Sequence, residues 1–191
     1  MANGTLKVSN IETSSGSGTI TLGQSGETVT IPSGVTVSGA MANVPAFEAK
    51  LSADQSITDQ TETKVAFDSE IYDTEGSYDT STYRFTPQTS GRYFVYCNIN
   101  CFQDDSSDLK VAAVKIYKNG SSVFETHDNT SGNYLRGLSE SFSATLDLNG
   151  STDYVEIFTF IEINSGANNI RIETSGAGSR NVFGAYKLIG I

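Results

Sequence analysis

Polar and apolar residues alternate along most of this chain, and short runs of turn-forming residues separate the alternating segments. Phe47, Ala49 and Leu51 share one face of the first segment, and the segment at residues 92–102 is among the longest. A period of two is typical of β-strands, whose successive side chains point to opposite faces. On this pattern we expect about ten strands. The other predicted strands span residues 65–67, 83–85, 109–117, 122–125, 135–148, 153–163, 169–174 and 181–191.

Turn residues divide these strands in a way that fits two stacked sheets. Asn119 and Gly120 form the strongest hairpin signal in the chain. Pro87 cannot donate a hydrogen bond to a neighbouring strand, so it marks the end of the strand before it. An alternating acidic stretch at residues 68–75 is expected to be a charged surface loop. The sequence therefore predicts an all-β fold, a two-sheet jelly-roll sandwich.

Three predicted strands, at residues 92–102, 153–163 and 181–191, carry apolar side chains on both faces. A sandwich covers only one face of a strand, and several exposed aromatic rings would form a larger patch than soluble monomers tolerate. We therefore expect a homotrimer in which neighbouring subunits cover the second face. The alternative is an extra-wide core within one subunit. The second-face residues, predicted to form the trimer interface, are Phe94, Tyr96, Phe102, Tyr154, Phe158, Phe160, Tyr186 and Leu188.

Residues 1–44 differ in character from the rest and form a predicted N-terminal arm, separate from a domain at residues 45–191. Bursts at residues 19–22, 28–31 and 35–37 alternate Thr with Ile, Leu or Val between Gly and Ser residues. Each burst predicts a strand that is too short to be stable without a partner. The same segment of other subunits would provide the partner strands, giving a narrow β-prism or fibre stem. The alternative is a disordered linker.

The charge balance argues against a nucleic-acid partner. The 191 residues include 12 Lys plus Arg and 22 Asp plus Glu, a formal net charge of −10, whereas phosphate binding depends on clustered basic side chains. The first residues lack the basic and apolar stretches of a secretion signal, so we expect synthesis and folding in a cytoplasm. No apolar run approaches the ~20 residues that cross a bilayer, so membrane insertion is not expected.

Residues suited to catalysis are sparse, so we expect neither an enzyme nor a cofactor. His127 is the sole histidine and lies in a polar stretch that is expected to be a solvated loop. Cys97 and Cys101 share one face of a predicted strand, at a separation of about 13 Å. That separation is too long for a disulfide, so we expect two buried free thiols.

Two loop features are candidates for ligand binding. Asp104, Asp105 and Asp108 offer hard oxygen ligands to calcium, although their spacing does not match a defined calcium loop, and the alternative is a solvated acidic turn. Tyr78 and Tyr134 are expected to be exposed and are candidates for recognising a sugar, such as a host surface glycan.

Three groups of spaced residues carry a resemblance to a known family. They are Tyr78, Asp79, Thr82, Phe85, Pro87, Gly91, Tyr93 and Phe94, then Leu146, Leu148, Asn149, Gly150, Asp153, Tyr154 and Val155, and finally Phe183, Gly184, Ala185, Tyr186, Lys187 and Leu188. Together with Ala46, Phe47, Glu48 and Ala49, they resemble the globular head of complement component 1q and its tumour-necrosis-factor-like relatives. The resemblance implies a jelly roll arranged in threes around a central aromatic column, with partners set by the loops. Some members of that family bind calcium near the trimer apex.

Residues 4–11, 18–23 and 35–39 read GTLKVSNI, GTITLG and VTVSG, and they resemble the start of structural proteins from marine tailed bacteriophages. We therefore expect a virion protein assembled in the host cytoplasm: a trimeric capsid decoration or short head-fibre protein, anchored by its arm to major capsid or tail proteins. One alternative is a receptor-binding adhesin at a tail-fibre tip that recognises a host glycan or protein. Another is a soluble lectin-like or cell-surface module. The residues expected to provide virion attachment are Leu6, Val8, Ile11, Ile20 and Leu22.

Overall fold

A computed structural model describes residues 9, 11, 19–35, 44–104, 107–165, 169–174 and 181–189. Contacts divide the chain into two compact units, Met1–Val37 and Ser38–Ile191. Among the described residues of the second unit there are thirteen strands. They are β1 (Ala46–Lys50), β2 (Gln55–Ser56), β3 (Thr63–Lys64), β4 (Ser69–Asp73), β5 (Tyr78–Asp79), β6 (Arg84–Phe85), β7 (Gly91–Gln103), β8 (Leu109–Lys118), β9 (Ser121–Asn129), β10 (Gly137–Leu148), β11 (Val155–Ile163), β12 (Ile170–Ile172) and β13 (Val182–Lys187).

Two sheets make up this second unit. In sheet A the hydrogen-bonded order is β2-β12-β7-β13-β1-β4, and β10 pairs with the other side of β7. In sheet B the order is β5-β6-β11-β8-β9, and β3 also pairs with β11. Every pairing between these strands is antiparallel. The predicted all-β, two-sheet fold is confirmed.

The two sheets enclose one apolar core. Tyr93, Val95 and Ile99 of β7 are buried, and Ile157 and Ile161 of β11 belong to the same buried cluster. Fully burying an aliphatic or aromatic side chain contributes roughly 1.5 to 3 kcal/mol. Alternate residues of both strands therefore hold the sheets together, and the residues between them point away from the core.

Aromatic rings fill one region of this core. The Phe47 ring stacks on Tyr78 at 4.6 Å and on Phe85 at 4.5 Å, and it meets Phe183 edge-on at 4.9 Å. The Tyr78 hydroxyl donates to the carbonyl oxygen of Phe67 at 2.8 Å, and burial raises the pKa of Tyr78 above its ordinary value. Tyr78 is thus a core residue, and the prediction that it is exposed for sugar recognition is wrong.

Two turns follow the sequence closely. Asn119 and Gly120 connect β8 to β9 with φ values of 53° and 78°, the left-handed geometry that favours this residue pair. Between β10 and β11, the Asn149 side-chain oxygen accepts from the backbone N–H groups of Ser151 and Asp153, each at 3.0 Å. Such a capping side chain fixes the turn locally.

The structure differs from the sequence pattern at the edges of the sheets. β4 occupies part of the expected charged loop, because its backbone pairs with β1 whatever its side chains are. β9 extends to Asn129, so His127 lies on an exposed strand and not in a loop. Residues 65–67 do not form a strand, although Val65 and Phe67 are buried. The residues that pair with β11 are those of β3, just before them. β13 ends at Lys187.

Residues 19–35 of the first unit are exposed and contain no strand. The described residues 19–22 and 28–31 therefore do not form the predicted strands, and no backbone hydrogen bond pairs these two stretches with each other. The bursts are instead separated by turns at residues 24–27 and 32–35. The predicted strand at residues 35–37 lies largely outside the described residues.

Candidate interaction surface

Sheet A turns its second face away from the core, and three aromatic rings gather at one end of that face. The Phe94 ring centroid on β7 lies 5.4 Å from that of Tyr186 on β13 and 6.2 Å from that of Tyr96. All three rings are half-buried in the single chain. We call these three residues the outer aromatic patch. They lie together because Tyr186 and Phe94 are register partners on neighbouring strands.

One glycine and one carboxylate fix the position of Tyr96. The Tyr96 ring lies over Gly184 so closely that a Cβ atom there would be 2.3 Å from Tyr96 Cζ. Its hydroxyl donates to Glu48 Oε2 at 2.6 Å, across the row that joins β7, β13 and β1. Burial, with the hydrogen bond to Glu48, raises the pKa of Tyr96 above its ordinary value. The tyrosine therefore lies against the sheet and offers a partner an apolar ring.

Hydrogen-bonded polar residues continue the same face beyond the patch. Ser141 Oγ on β10 donates to Asn98 Oδ1 at 2.7 Å, and Ser139 Oγ donates to Asn100 Oδ1 at 3.0 Å. A shallow groove of about 370 Å³ runs beside them, lined partly by Phe94 and Tyr96. The face thus changes from aromatic to neutral and polar along β7.

The far end of this face carries a charged cluster around Phe102. The guanidinium groups of Arg136 and Arg171 lie 5.1 and 4.9 Å from the Phe102 ring centroid. Arg171 also forms ion pairs with Asp54 at 2.9 Å and with Asp104. Such charge-assisted contacts bind the cationic side chain firmly.

The described members of the predicted calcium set are bound to protein groups. Asp104 pairs with Arg171. Asp108 is buried and accepts from the backbone N–H of Ser165 at 3.0 Å and from its hydroxyl at 2.7 Å. Asp105 lies outside the described residues, and the described part of the chain contains no group of three or more His, Cys, Asp or Glu suited to a metal ion.

Side chains of the same chain partly close the outer face of sheet B. The Tyr117 ring lies 4.2 Å from the Phe158 ring, and the Arg84 guanidinium lies 4.2 Å from the ring of Tyr154. Between them, the buried Glu156 carboxylate accepts from Arg84 Nε at 2.7 Å and from Lys64 Nζ at 2.5 Å. This face is therefore partly closed by intrachain cations.

The predicted interface residues consequently lie on opposite outer faces of the sandwich. Phe94, Tyr96, Phe102, Tyr186 and Leu188 belong to sheet A or its extension, and Tyr154, Phe158 and Phe160 belong to β11 of sheet B or precede it. All eight are half-buried in the single chain. The apolar core separates these two groups, and their place in a trimer interface stays a prediction. Glu48 and Gly184, which sequence reasoning did not assign to this surface, complete its aromatic end.

The groups able to do covalent chemistry are dispersed. His127 is exposed, and its Nδ1 lies 3.7 Å from Glu125 Oε1. Cys97 and Cys101 are free and buried, as predicted, and burial raises the pKa of each thiol to about 12. Neither thiol is therefore available as a thiolate at neutral pH. The Tyr134 hydroxyl donates to Asn164 Oδ1 at 2.8 Å.

Three of the residues expected to provide attachment can be placed. Ile11, Ile20 and Leu22 are all exposed, whereas Leu6 and Val8 lie outside the described residues. Their role in attachment stays a prediction. No helix among the residues with described structure has the length and apolarity needed to cross a membrane.

Comparisons with known proteins identify the second unit. The model of a family described as the C1q domain matches residues 46–174. The globular domain of zebrafish complement 1qA protein superposes with a TM-score of 0.51 at 16% identity, covering 77% of this chain and 98% of that one. Murine APRIL, in a crystal structure at pH 5.0, gives 0.50 at 11% identity, covering 75% and 98%. No curated protein matches the sequence. At these identities the two structures show the fold alone, and they confirm the jelly roll.

Proposed function

Because the chain belongs to the C1q domain family, we propose that it is a non-enzymatic structural or binding protein that assembles as a homotrimer. The observation that carries this proposal is the outer aromatic patch. Its three rings are half-buried on the face of sheet A that points away from the core. Large aromatic side chains bury ~150–250 Å² each when a partner covers them.

The trimer is proposed to turn the outer face of sheet A toward its threefold axis. A cyclic trimer joins two different surfaces of neighbouring subunits. Sheet A suits the axial position because neutral residues, serines along β10 and asparagines along β7, continue its outer face beyond the patch, and the exposed Arg92 on the other side of the patch is paired with Asp147. Sheet B is less suited, since Lys64 and Arg84 would each need to lose water there. An obligate interface of ~2,000 Å² or more is expected.

Within this class we propose a bacteriophage virion protein: a capsid decoration or short head-fibre protein attached by its arm. Support comes from the exposed apolar residue Ile11 of the arm, and from the resemblance of the arm sequence to phage structural proteins. An arm of this length spans at most ~140 Å when fully extended, which is too short for a long tail fibre. A trimer also matches the local threefold positions of an icosahedral shell.

Particles that lack the protein test this role. A decoration protein stabilises the shell by binding only its assembled form. Its removal should therefore lower the resistance of particles to heat and low salt, while adsorption to host cells stays near normal. Purified trimer should not compete with phage for cells. Loss of adsorption with an unchanged shell, or competition by the trimer, would favour the receptor-binding adhesin instead.

The division of labour between arm and head has its own test. A chain that begins at Val44 retains the whole family match and every strand, so it should fold and form trimers. It should not bind particles that lack the native protein, whereas the full chain should restore normal occupancy. Normal occupancy by the truncated chain would place attachment on the head.

A further inference from the structure

The arm presents a stripe of apolar side chains to solvent. Ile20 is 42% exposed, Leu22 64%, Val29 60%, Ile31 46% and Val35 55%. Thr21 lies between Ile20 and Leu22, and Thr30 lies between Val29 and Ile31, so the apolar side chains recur at a period of two within each pair. An extended backbone would place the two apolar side chains of each pair on one face. We refer to these five residues as the arm stripe.

Two turns divide the segment at regular positions. The backbone N–H of Glu27 donates to the carbonyl oxygen of Gln24 at 3.0 Å, and that of Val35 donates to Pro32 at 3.3 Å. Each turn contains a glycine in the left-handed region: Gly26 in the first, at φ 89°, and Gly34 in the second, at φ 88°. The pattern of Ile20 and Leu22 recurs in residues 29 and 31, on the far side of the first turn.

The stretches on either side of the first turn are not paired with each other. No backbone hydrogen bond joins residues 19–22 to residues 28–31, both of which the structure describes. The segment is therefore not a hairpin folded on itself. Burying it requires partner strands, because an unpaired backbone amide or carbonyl is costly away from water.

Identical copies are well suited to supply those strands. Glu27 is the only charged residue among residues 19–35, and its carboxylate accepts from the backbone N–H of Gln24 at 2.7 Å. Three copies can therefore approach without repulsion between like charges along the stripe. Thr, Ile and Val also favour strands through their branched side chains.

The head places the chain where copies would meet. β1 begins at Ala46, whose register partner is Tyr186, and Tyr186 in turn pairs with Phe94. The chain therefore joins the head at the aromatic end of the outer face of sheet A, the face proposed to surround the axis. Three chains joining near one axis raise the effective concentration of their arms to the order of mM.

We propose that residues 19–35 of three copies wind together into a β stem, with the arm stripe facing the shared axis and the threonines facing solvent. This inference rests on the proposed homotrimer. It assigns these residues to pairing between copies and leaves Leu6, Val8 and Ile11 for contact with the virion.

Hydrogen exchange of the full chain tests the stem. The amides of residues 19–35 should exchange on the order of 100-fold more slowly than in a free peptide. The double variant Leu22→Asp, Ile31→Asp should abolish this protection by placing charges at the axis. The matched variant Thr21→Asp, Thr30→Asp adds the same charges on the solvent side and should keep it. Unprotected amides in the native chain, or equal behaviour of the two variants, would overturn the stem.

Cross-linking shows whether the protection comes from other copies. Leu22→Cys should form disulfides between copies under mild oxidation, and the buried Cys97 and Cys101 should not interfere. Thr21→Cys, pointing outward, should cross-link far less. Protection without any cross-link between copies would mean that the arm folds against its own chain, and would overturn the proposal.

Sedimentation of the full chain and of the chain beginning at Val44 distinguishes a failure of the proposed stem from a failure of the proposed head trimer. A trimeric head with an unprotected arm would overturn the stem and leave the proposed trimer intact. A full chain that is trimeric only because of its arm would keep the stem and overturn the head interface. A monomeric full chain would overturn both.

Discussion

Gly150 lies in the turn between β10 and β11, with φ at 70°, and the backbone of the loop between β6 and β7 packs directly against it. A Cβ atom at this position would lie 2.1 Å from the Ser90 amide nitrogen. The carbonyl carbon of Thr89 would lie 2.5 Å from the same Cβ atom. Both contacting groups belong to the backbone, so neither can rotate away. Gly150→Ala should therefore lower the free energy of unfolding by roughly 2 to 4 kcal/mol, measured by urea denaturation.

Gly76 offers a matched control for this substitution. Its φ is 63°, but a Cβ atom there would meet nothing within 4 Å. Gly76→Ala should therefore show only the strain of the left-handed backbone, about 1 kcal/mol. Equal losses for the two variants would show that conformational strain, and not the contact with Ser90, makes Gly150 necessary.

Glu140 on β10 is a buried carboxyl group opposite Asp128 of β9. It is only 4% exposed, and its Oε1 has no hydrogen-bond partner among the described residues. Burial, reinforced by the charge of Asp128, raises the pKa of Glu140 from 4.5 to about 7. Asp128 faces Glu140 across the gap between the edges of the two sheets. Cys97 and Cys101 lie near Glu140 on the β7 side. The folded state therefore binds more protons than the unfolded state between pH 4.5 and 7.

The free energy of unfolding should accordingly decrease as the pH rises through this window, and the loss should be complete above it. Glu140→Gln removes the ionisation, so it should stabilise the protein at pH 8 by roughly 2 to 3 kcal/mol and have little effect near pH 4.5. Thermal melting across pH measures this. Glu125→Gln, on the exposed face of β9, is the control and should melt like the native protein throughout. A destabilised Glu140→Gln protein at pH 8 would contradict the assignment.

At the scale of elements, the short strands β3 and β6 depend on one buried carboxylate. Each pairs with β11 through one or two residue positions only. Glu156 of β11 adds ion pairs to Lys64 of β3 at 2.5 Å and to Arg84 of β6 at 2.7 Å. Removing one partner of a buried ion pair leaves the others uncompensated, although both cations here can partly reach water.

Glu156→Ala should therefore lower the free energy of unfolding by about 2 to 3 kcal/mol and speed amide exchange in β3 and β6 first. Glu162→Ala on the same strand is the matched control, because its pair with Lys110 is more exposed and should contribute under 1 kcal/mol. If β3 and β6 kept native exchange rates after loss of Glu156, backbone pairing alone would account for their positions.

At the scale of the whole molecule, the two outer faces of the sandwich compete for the trimer interface. Tyr186→Asp would place an unpaired charge in the outer aromatic patch of each subunit, at a cost of several kcal/mol per site. It should convert the trimer to monomers in sedimentation velocity, with the β-sheet circular dichroism retained. Phe158→Asp, the corresponding change on sheet B, should leave the trimer assembled. The opposite result would place β11 and its aromatic residues at the interface.

The sequence alone predicted the features that depend on neighbouring residues. Alternation predicted the long strands β7, β8, β10 and β11 and their two faces, because side chains of a strand alternate regardless of the partner. Asn119 and Gly120 predicted their turn for an equally local reason. The separation of Cys97 and Cys101 along a strand excluded a disulfide, and both thiols are free.

Only the tertiary structure decided the features that join residues distant in the sequence. It placed Tyr78 in the core against Phe47, made an edge strand of β4, and put Phe94 and Phe158 on opposite sides of the sandwich. The local pattern shows which residues of a strand lie on its second face. Which side of the sandwich that face is on depends on the sheet to which the strand belongs. Which sheet a strand joins is decided by pairing with distant strands, whose energy depends on the assembled core and not on the spacing of residues.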